Sequence, residues 1–215
     1  MSGAAPKADY GWAGRESAER AEYAVLARWV PEGARVLDVG CGHGRLGAAL
    51  IASRHCTVSG VEIDPAGAEK ARAAGLDVRV ADADEGLPFA NDAFDVAIAN
   101  VTLQMVYRPG FVMAELLRVA PVALVSFPNF AHWIARAQAL AGRFPAKPLY
   151  GRAWHETRHI HLFSWADFRA LVGLLGARVT DAEHFGRDSR TPGALARAWP
   201  NLFAALCLAR VERRR

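Results

Sequence analysis

Apolar residues in this chain come in short, nearly unbroken runs. ARVLDVG (34–40), TVSGVEI (57–63), DVRVADA (77–83), FDVAIAN (94–100) and VALVSF (122–127) are five of them. Runs of that length read as strands buried on both faces of a parallel sheet. Between them lie stretches with helical apolar spacing: RLGAALIASR (45–54), PAGAEKARAAG (65–75) and GFVMAELLRVA (110–120). Pro65 occupies a favoured first helical position, and Gly75 stops the same helix. Upstream, a helix is predicted from a Ser17 cap to Trp29. It turns Ala21, Ala24, Val25, Arg28 and Trp29 to one side and ends at Pro31 and Gly33. Strand and helix alternating through short loops predict an α/β fold, an open and mostly parallel sheet with helices on both faces.

The last third is less regular. A helix is predicted over 133–143, a long loop over 144–160 and a helix over 165–176 capped by Ser164. ARVTDAEHF (177–185) reads as a strand, 186–200 as a polar loop and LFAALCLARVE (202–212) as a final strand. Residues 1–16 are small and polar and read as a flexible leader. Residues 17–215 read as one domain without internal repeats.

Composition narrows the function classes. The chain has 215 residues, 52% of them hydrophobic, enough for one sizeable core. Its net charge of +4 is spread along the chain apart from the terminal RRR, so no clustered nucleic-acid face is visible. Cys41, Cys56 and Cys207 are too few and too scattered for a disulfide framework or a zinc finger. The first twenty residues lack the basic-then-apolar order of a signal peptide. The longest uncharged stretch, Val119 to Ala135, is broken by Pro121 and Pro128 and makes a poor membrane span. A reducing, cytoplasmic setting is expected, with neither nucleic acid nor membrane as partner.

Chemistry concentrates in VLDVGCGHGRL (36–46). Gly40, Gly42 and Gly44 follow a buried strand and open a helix, which lets a ligand approach main-chain N–H groups. The next strand ends in VEID, so Glu62 stands about 20 residues on, where a carboxylate can bind both ribose hydroxyls. The spacing is G-x-G-x-G. The dinucleotide fingerprint needs glycine at position 45, which is Arg. Asp38 beside the loop repels a pyrophosphate and attracts an ammonium or sulfonium. No G-K-S/T is present, which excludes a P-loop. Asp82, after the third strand, is placed for an adenine amino group. Together these features fit S-adenosylmethionine, or its product S-adenosylhomocysteine. Cys41 lies inside the loop without a recognisable base and reads as a small buried neighbour of the ligand.

With these residues the sequence resembles the class I S-adenosylmethionine-dependent methyltransferases, which have a Rossmann-like fold and an antiparallel C-terminal strand. The resemblance implies that LDVGCGHG holds the methionine side with Asp38 near the ligand's amino group. It assigns Glu62 to the ribose, Ile63 to an adenine face, and Asp82 with Ala83 to the adenine edge. Asn100 then closes the ligand side, and ANVTLQMV (99–106) begins the substrate side.

A narrower resemblance rests on GVEID, DEGL, TLQ, SFPNFAHW and IHL. These pieces are similar to the MetW family of methionine-biosynthesis proteins, over about residues 20 to 212. Members of that family accompany homoserine O-acyltransferase, which depends on them for full activity. The resemblance therefore implies an accessory or regulatory subunit with a pocket for S-adenosylmethionine, partnered with a homoserine O-acetyl- or O-succinyltransferase. The other reading is a working methyltransferase on a small molecule. In SFPNFAHW, Pro128 fixes a turn and Asn129 caps it, while Phe130, His132 and Trp133 offer a pocket floor or a partner anchor. Phe127 and Trp133 read equally well as core. Gln104 and Tyr107 complete the candidates near the reacting end, and His161 joins the partner or pocket candidates. His155, His159 and His161 read as a solvent-facing or interface loop, with no metal expected.

Overall fold

The structure is a computed structural model, which describes residues 20–145, 155, 157–187 and 192–214. Helix α1 (Ala21–Trp29) precedes strand β1 (Arg35–Val39). Then come α2 (Arg45–Arg54), β2 (Thr57–Glu62), α3 (Pro65–Ala73) and β3 (Asp77–Val80). A 3-10 turn (Ala83–Glu85) leads to β4 (Val96–Asn100), α4 (Pro109–Val119) and β5 (Val122–Pro128). The last third adds α5 (Trp133–Leu140), α6 (Trp165–Leu174), β6 (Ala177–Phe185), α7 (Ala194–Ala198), α8 (Pro200–Phe203) and β7 (Leu206–Arg213).

The seven strands form one sheet in the order β3-β2-β1-β4-β5-β7-β6. The five strands β3, β2, β1, β4 and β5 pair parallel, and β7 runs antiparallel to both β5 and β6. Alternate residues feed opposite faces, which explains the unbroken apolar runs. Ala97, Ala99, Val125 and Phe127 pack with Val112, Met113 and Leu116 of α4 and Phe168 of α6. Val36, Val58, Ile98 and Leu124 pack on the other face with Leu26 of α1, Leu46 and Leu50 of α2, and Ala68 of α3.

Several boundaries differ from the sequence reading. Ser17 and the 1–16 leader lie outside the described residues. Helix α1 begins after Arg20, which makes no side-chain cap, and it buries Glu22, Val25 and Leu26, not Ala24 and Arg28. The face that packs toward α2 carries Val25 and Leu26 in the core, with Ala21 and Trp29 partly buried against it. The segment read as polar loop and strand start holds two short helices, α7 and α8. Five and four residues are too few for periodicity to register. By contrast, Asp64 caps α3 with Pro65 at its first position, and Ser164 with Asp167 forms a reciprocal capping box on α6.

Candidate functional site

The parallel strands all end at one edge of the sheet. After β1 the backbone passes through Gly40, Gly42 and Gly44, all at positive φ (72°, 54° and 74°). A Cβ on Gly44 would stand 2.8 Å from the Ala71 Cα, so glycine lets α3 close against the loop. A Cβ on Gly40 would meet Thr102 Oγ1 at 2.8 Å, where that hydroxyl donates to the Val39 carbonyl at 3.1 Å. Close approach, not turn geometry alone, fixes these glycines.

Glu62 ends β2 and is buried. Its Oε2 accepts from Gly42 N at 2.8 Å and its Oε1 from Asp64 N at 3.0 Å. A carboxylate held this way by main-chain donors is pointed along the strand-end rim and still has lone pairs to offer. Gly67 leaves room beside it, since a Cβ there would lie 3.3 Å from the Glu62 Cγ. Asp38 is buried in β1. Burial, with Glu62 nearby, pushes its carboxyl up to about 7. Burial also raises Glu62, against the two N–H groups it accepts. Burial and these two carboxylates push the Cys41 thiol far up, so it stays a neutral thiol. Two buried acids side by side are costly unless a cation arrives.

Ile63 follows Glu62 and is exposed. Asp82 and Ala83 sit after β3, whose end is tied to β2 by Ala81 N donating to the Glu62 carbonyl at 3.1 Å. Asp82 accepts from Asp84 N at 2.9 Å, which starts the 3-10 turn and leaves Ala83 buried. Asp84 accepts from Tyr107 N and Arg108 N, so the turn after β3 also holds the segment after β4.

That segment contains residues the sequence reading did not single out. Val101 has φ 56°, rare for a β-branched residue. Its N–H donates to Ser126 O and Oγ, both at 3.0 Å, while the Ser126 hydroxyl bonds Asn100 Oδ1. Asn100, Val101 and Thr102 are thus locked beside Gly40. A polar Ser126 inside the apolar β5 run was the available signal. Gln104 is buried, with Nε2 donating to Val101 O at 2.7 Å. The Gln104 carbonyl accepts from Ile160 N and His161 N, and His161 Nε2 lies 3.2 Å from Tyr107 O.

The turn after β5 forms a separate group. Asn129 is fully buried, with Nδ2 donating to Pro200 O at 3.1 Å, Asn201 O at 3.3 Å and Ala204 O at 2.8 Å. Its Oδ1 accepts from Ala131 N at 3.1 Å and Trp165 N at 3.4 Å. His132 caps α5 by accepting from Ile134 N at its Nδ1, and burial lowers its pKa so that the ring remains a neutral acceptor. Phe127 is core, packed on Phe163 and Phe168. Phe130 sets its ring edge to face against His159, and Trp133 is 47% exposed.

The sequence profile of the family described as methionine biosynthesis protein MetW matches residues 20–211. The chain belongs to the MetW family. A curated relative from Rhodopirellula baltica, the bifunctional methionine biosynthesis protein MetXA/MetW, is 39% identical over 168 residues. That match takes in 73% of this MetW chain and 27% of the relative, so the chain spans about a quarter of the relative's length. Solved structures show the same fold. A possible histamine N-methyltransferase from Thermotoga maritima superposes with a TM-score of 0.67 at 19% identity, over 90% of this chain and 88% of that one. Magnesium protoporphyrin IX methyltransferase from Synechocystis, with bound S-adenosylhomocysteine, gives 0.64 at 16% identity, over 89% and 82%. The MetW fold is that of the S-adenosylmethionine-dependent methyltransferases, with a single antiparallel strand.

Proposed function

We propose that this MetW chain binds S-adenosylmethionine at the carboxyl ends of β1, β2 and β3 and serves as an accessory subunit of homoserine O-acyltransferase. The observation that carries the partnership is the relative in which MetXA and MetW share one chain. Fused proteins are commonly partners when separate, because fusion raises effective concentration without changing the contact.

The residues of the rim fit the ligand. Gly40, Gly42 and Gly44 leave no side chain between ligand and backbone. The oriented Glu62 carboxylate suits a ribose diol, and Asp38 suits the amino-acid ammonium. Ile63 lies against one adenine face, with Asp82 and Ala83 at its edge. Asn100 borders the methionine side. The ligand's ammonium relieves the buried Asp38, and the ribose hydroxyls donate to the buried Glu62.

Methyl transfer is supported less well. Among the polar candidates past β5, Asn129 is tied to backbone groups on both sides of its amide, and His132 is occupied as a helix cap. Neither stands ready as a general base.

The test is the rate of homoserine acylation by the acyltransferase of the same organism, with and without this chain, and again with saturating S-adenosylmethionine. The account expects a higher rate with the chain and a further change with the ligand. An unchanged rate with no co-elution, together with methylation of some acceptor, overturns it.

A further inference from the structure

Strands β5, β7 and β6 meet at one corner, where Pro128 and Phe185 both pair with Leu206. Helices α5, α7 and α8 all leave from this corner. They carry exposed apolar side chains: Trp133, Leu140 and Phe144 along α5 and its end, and Leu195 and Trp199 on α7 and beside it. Leu140 is 91% exposed. A shallow groove of about 510 Å3 runs along α5, floored by Trp133, Ile134, Ala137 and Ala141 and rimmed by Arg143 and Arg187. Arg136 lies on the same helix, and no acidic residue occurs between Trp133 and Phe144. No carboxylate among the described residues pairs with Arg143 or Arg187. Arg187 is close enough to help keep His132 neutral. An apolar floor containing tryptophan with an arginine rim is the composition of a protein interface core.

We propose that this groove is the docking surface for the acyltransferase, which enters with an apolar anchor flanked by acidic side chains. The inference rests on the partnership proposed above and adds where and by what chemistry it is made. Charge selects the occupant. A second copy of this chain in a two-fold interface would bring the arginine rim against itself. A partner with the opposite charge satisfies the rim and covers Trp133 and Leu140. The surface is continuous with the SFPNF turn, because His132 is both the end of that turn and the cap of α5.

The experiment uses the full chain and the acyltransferase of the same organism, with binding followed by calorimetry and acylation measured in parallel. The double variant Arg143→Glu/Arg187→Glu is expected to weaken binding roughly tenfold or more, with wild-type binding itself weakening as salt is raised. The S-adenosylmethionine-induced rise in melting temperature is expected to be unchanged in that variant. Trp133→Ala is expected to weaken acyltransferase binding to a similar degree. Wild-type binding at full strength in all these variants overturns the docking surface and leaves the partnership standing. Failure of the wild-type chain to bind the acyltransferase overturns both. A dimer of this chain that the arginine reversals dissociate assigns the groove to self-association and also overturns the proposal.

Discussion

Two places at the carboxyl edge of the sheet bury polar side chains, and they do so in opposite ways. At the end of β5, Asn129 is fully buried and bonded on both sides of its amide, to Ala204 O at 2.8 Å and Ala131 N at 3.1 Å among others. At the ends of β1 and β2, Asp38 and Glu62 are two buried acids whose ionised forms burial disfavours. A buried polar group that the chain itself satisfies holds the fold together. One kept in an unfavourable state points to a ligand that will relieve it. The sequence reading placed Asn129 among the pocket or partner residues. Its geometry makes it a fastener, joining the β5 turn to α6 and to the segment over Pro200–Ala204.

The comparison breaks most visibly at Asn129. Asn129→Ala would orphan buried carbonyls and an amide at once, and a loss of about 3–4 kcal/mol of stability is expected. Chemical denaturation measures it. A loss below about 1 kcal/mol would show that the fastener is dispensable.

The acids sharpen the other side through pH. Asp38 has a folded pKa of about 7 against an ordinary value of 3.8. Between those values the unfolded chain releases a proton that the folded chain keeps. Stability of the ligand-free chain therefore falls as pH rises through that window, by at most about 1.4 kcal/mol per pH unit from this group, and levels off above it. Asp38→Asn should flatten that slope and raise the melting temperature near neutral pH, while weakening S-adenosylmethionine binding. Melting curves at several pH values, with and without ligand, check both halves. The ligand should also bind the wild-type chain more tightly above pH 7 than below it, because the ionised Asp38 receives a cation.

Ser164 gives the smallest effect and a control. Its side chain accepts from Asp167 N at 3.2 Å while Asp167 accepts from Ser164 N at 2.9 Å. Ser164→Ala should cost about 1 kcal/mol of stability by loss of the cap. Its slope of stability against pH through the Asp38 window should stay that of the wild type.

These differences mirror what was legible in the chain. The glycine-and-acid rim is local in sequence: GCGHG follows β1 directly, and Glu62 accepts from Gly42 only twenty residues away. Strand runs, glycine spacing and a strand-end acid suffice to read it. Asn129 was legible as a polar residue that caps its own turn in an apolar run, but the carbonyls its amide donates to lie 71 to 75 residues on. No pattern in SFPNF announces them. Helices α7 and α8 escaped for a related reason, since packing against β6 and α6 makes them and no periodicity does. Val101 escaped because its φ of 56° is imposed by Ser126 on the neighbouring strand.

The central claim is that the buried acids at the strand ends form a site for S-adenosylmethionine. Calorimetric titration of this ligand into the wild-type chain and into Glu62→Ala tests it most directly. The account predicts one saturable site in the wild type and an affinity lower by about 2–3 kcal/mol in the variant, from loss of charge-assisted hydrogen bonds. Equal affinity in a folded Glu62→Ala chain, or no binding to the wild type, would contradict it.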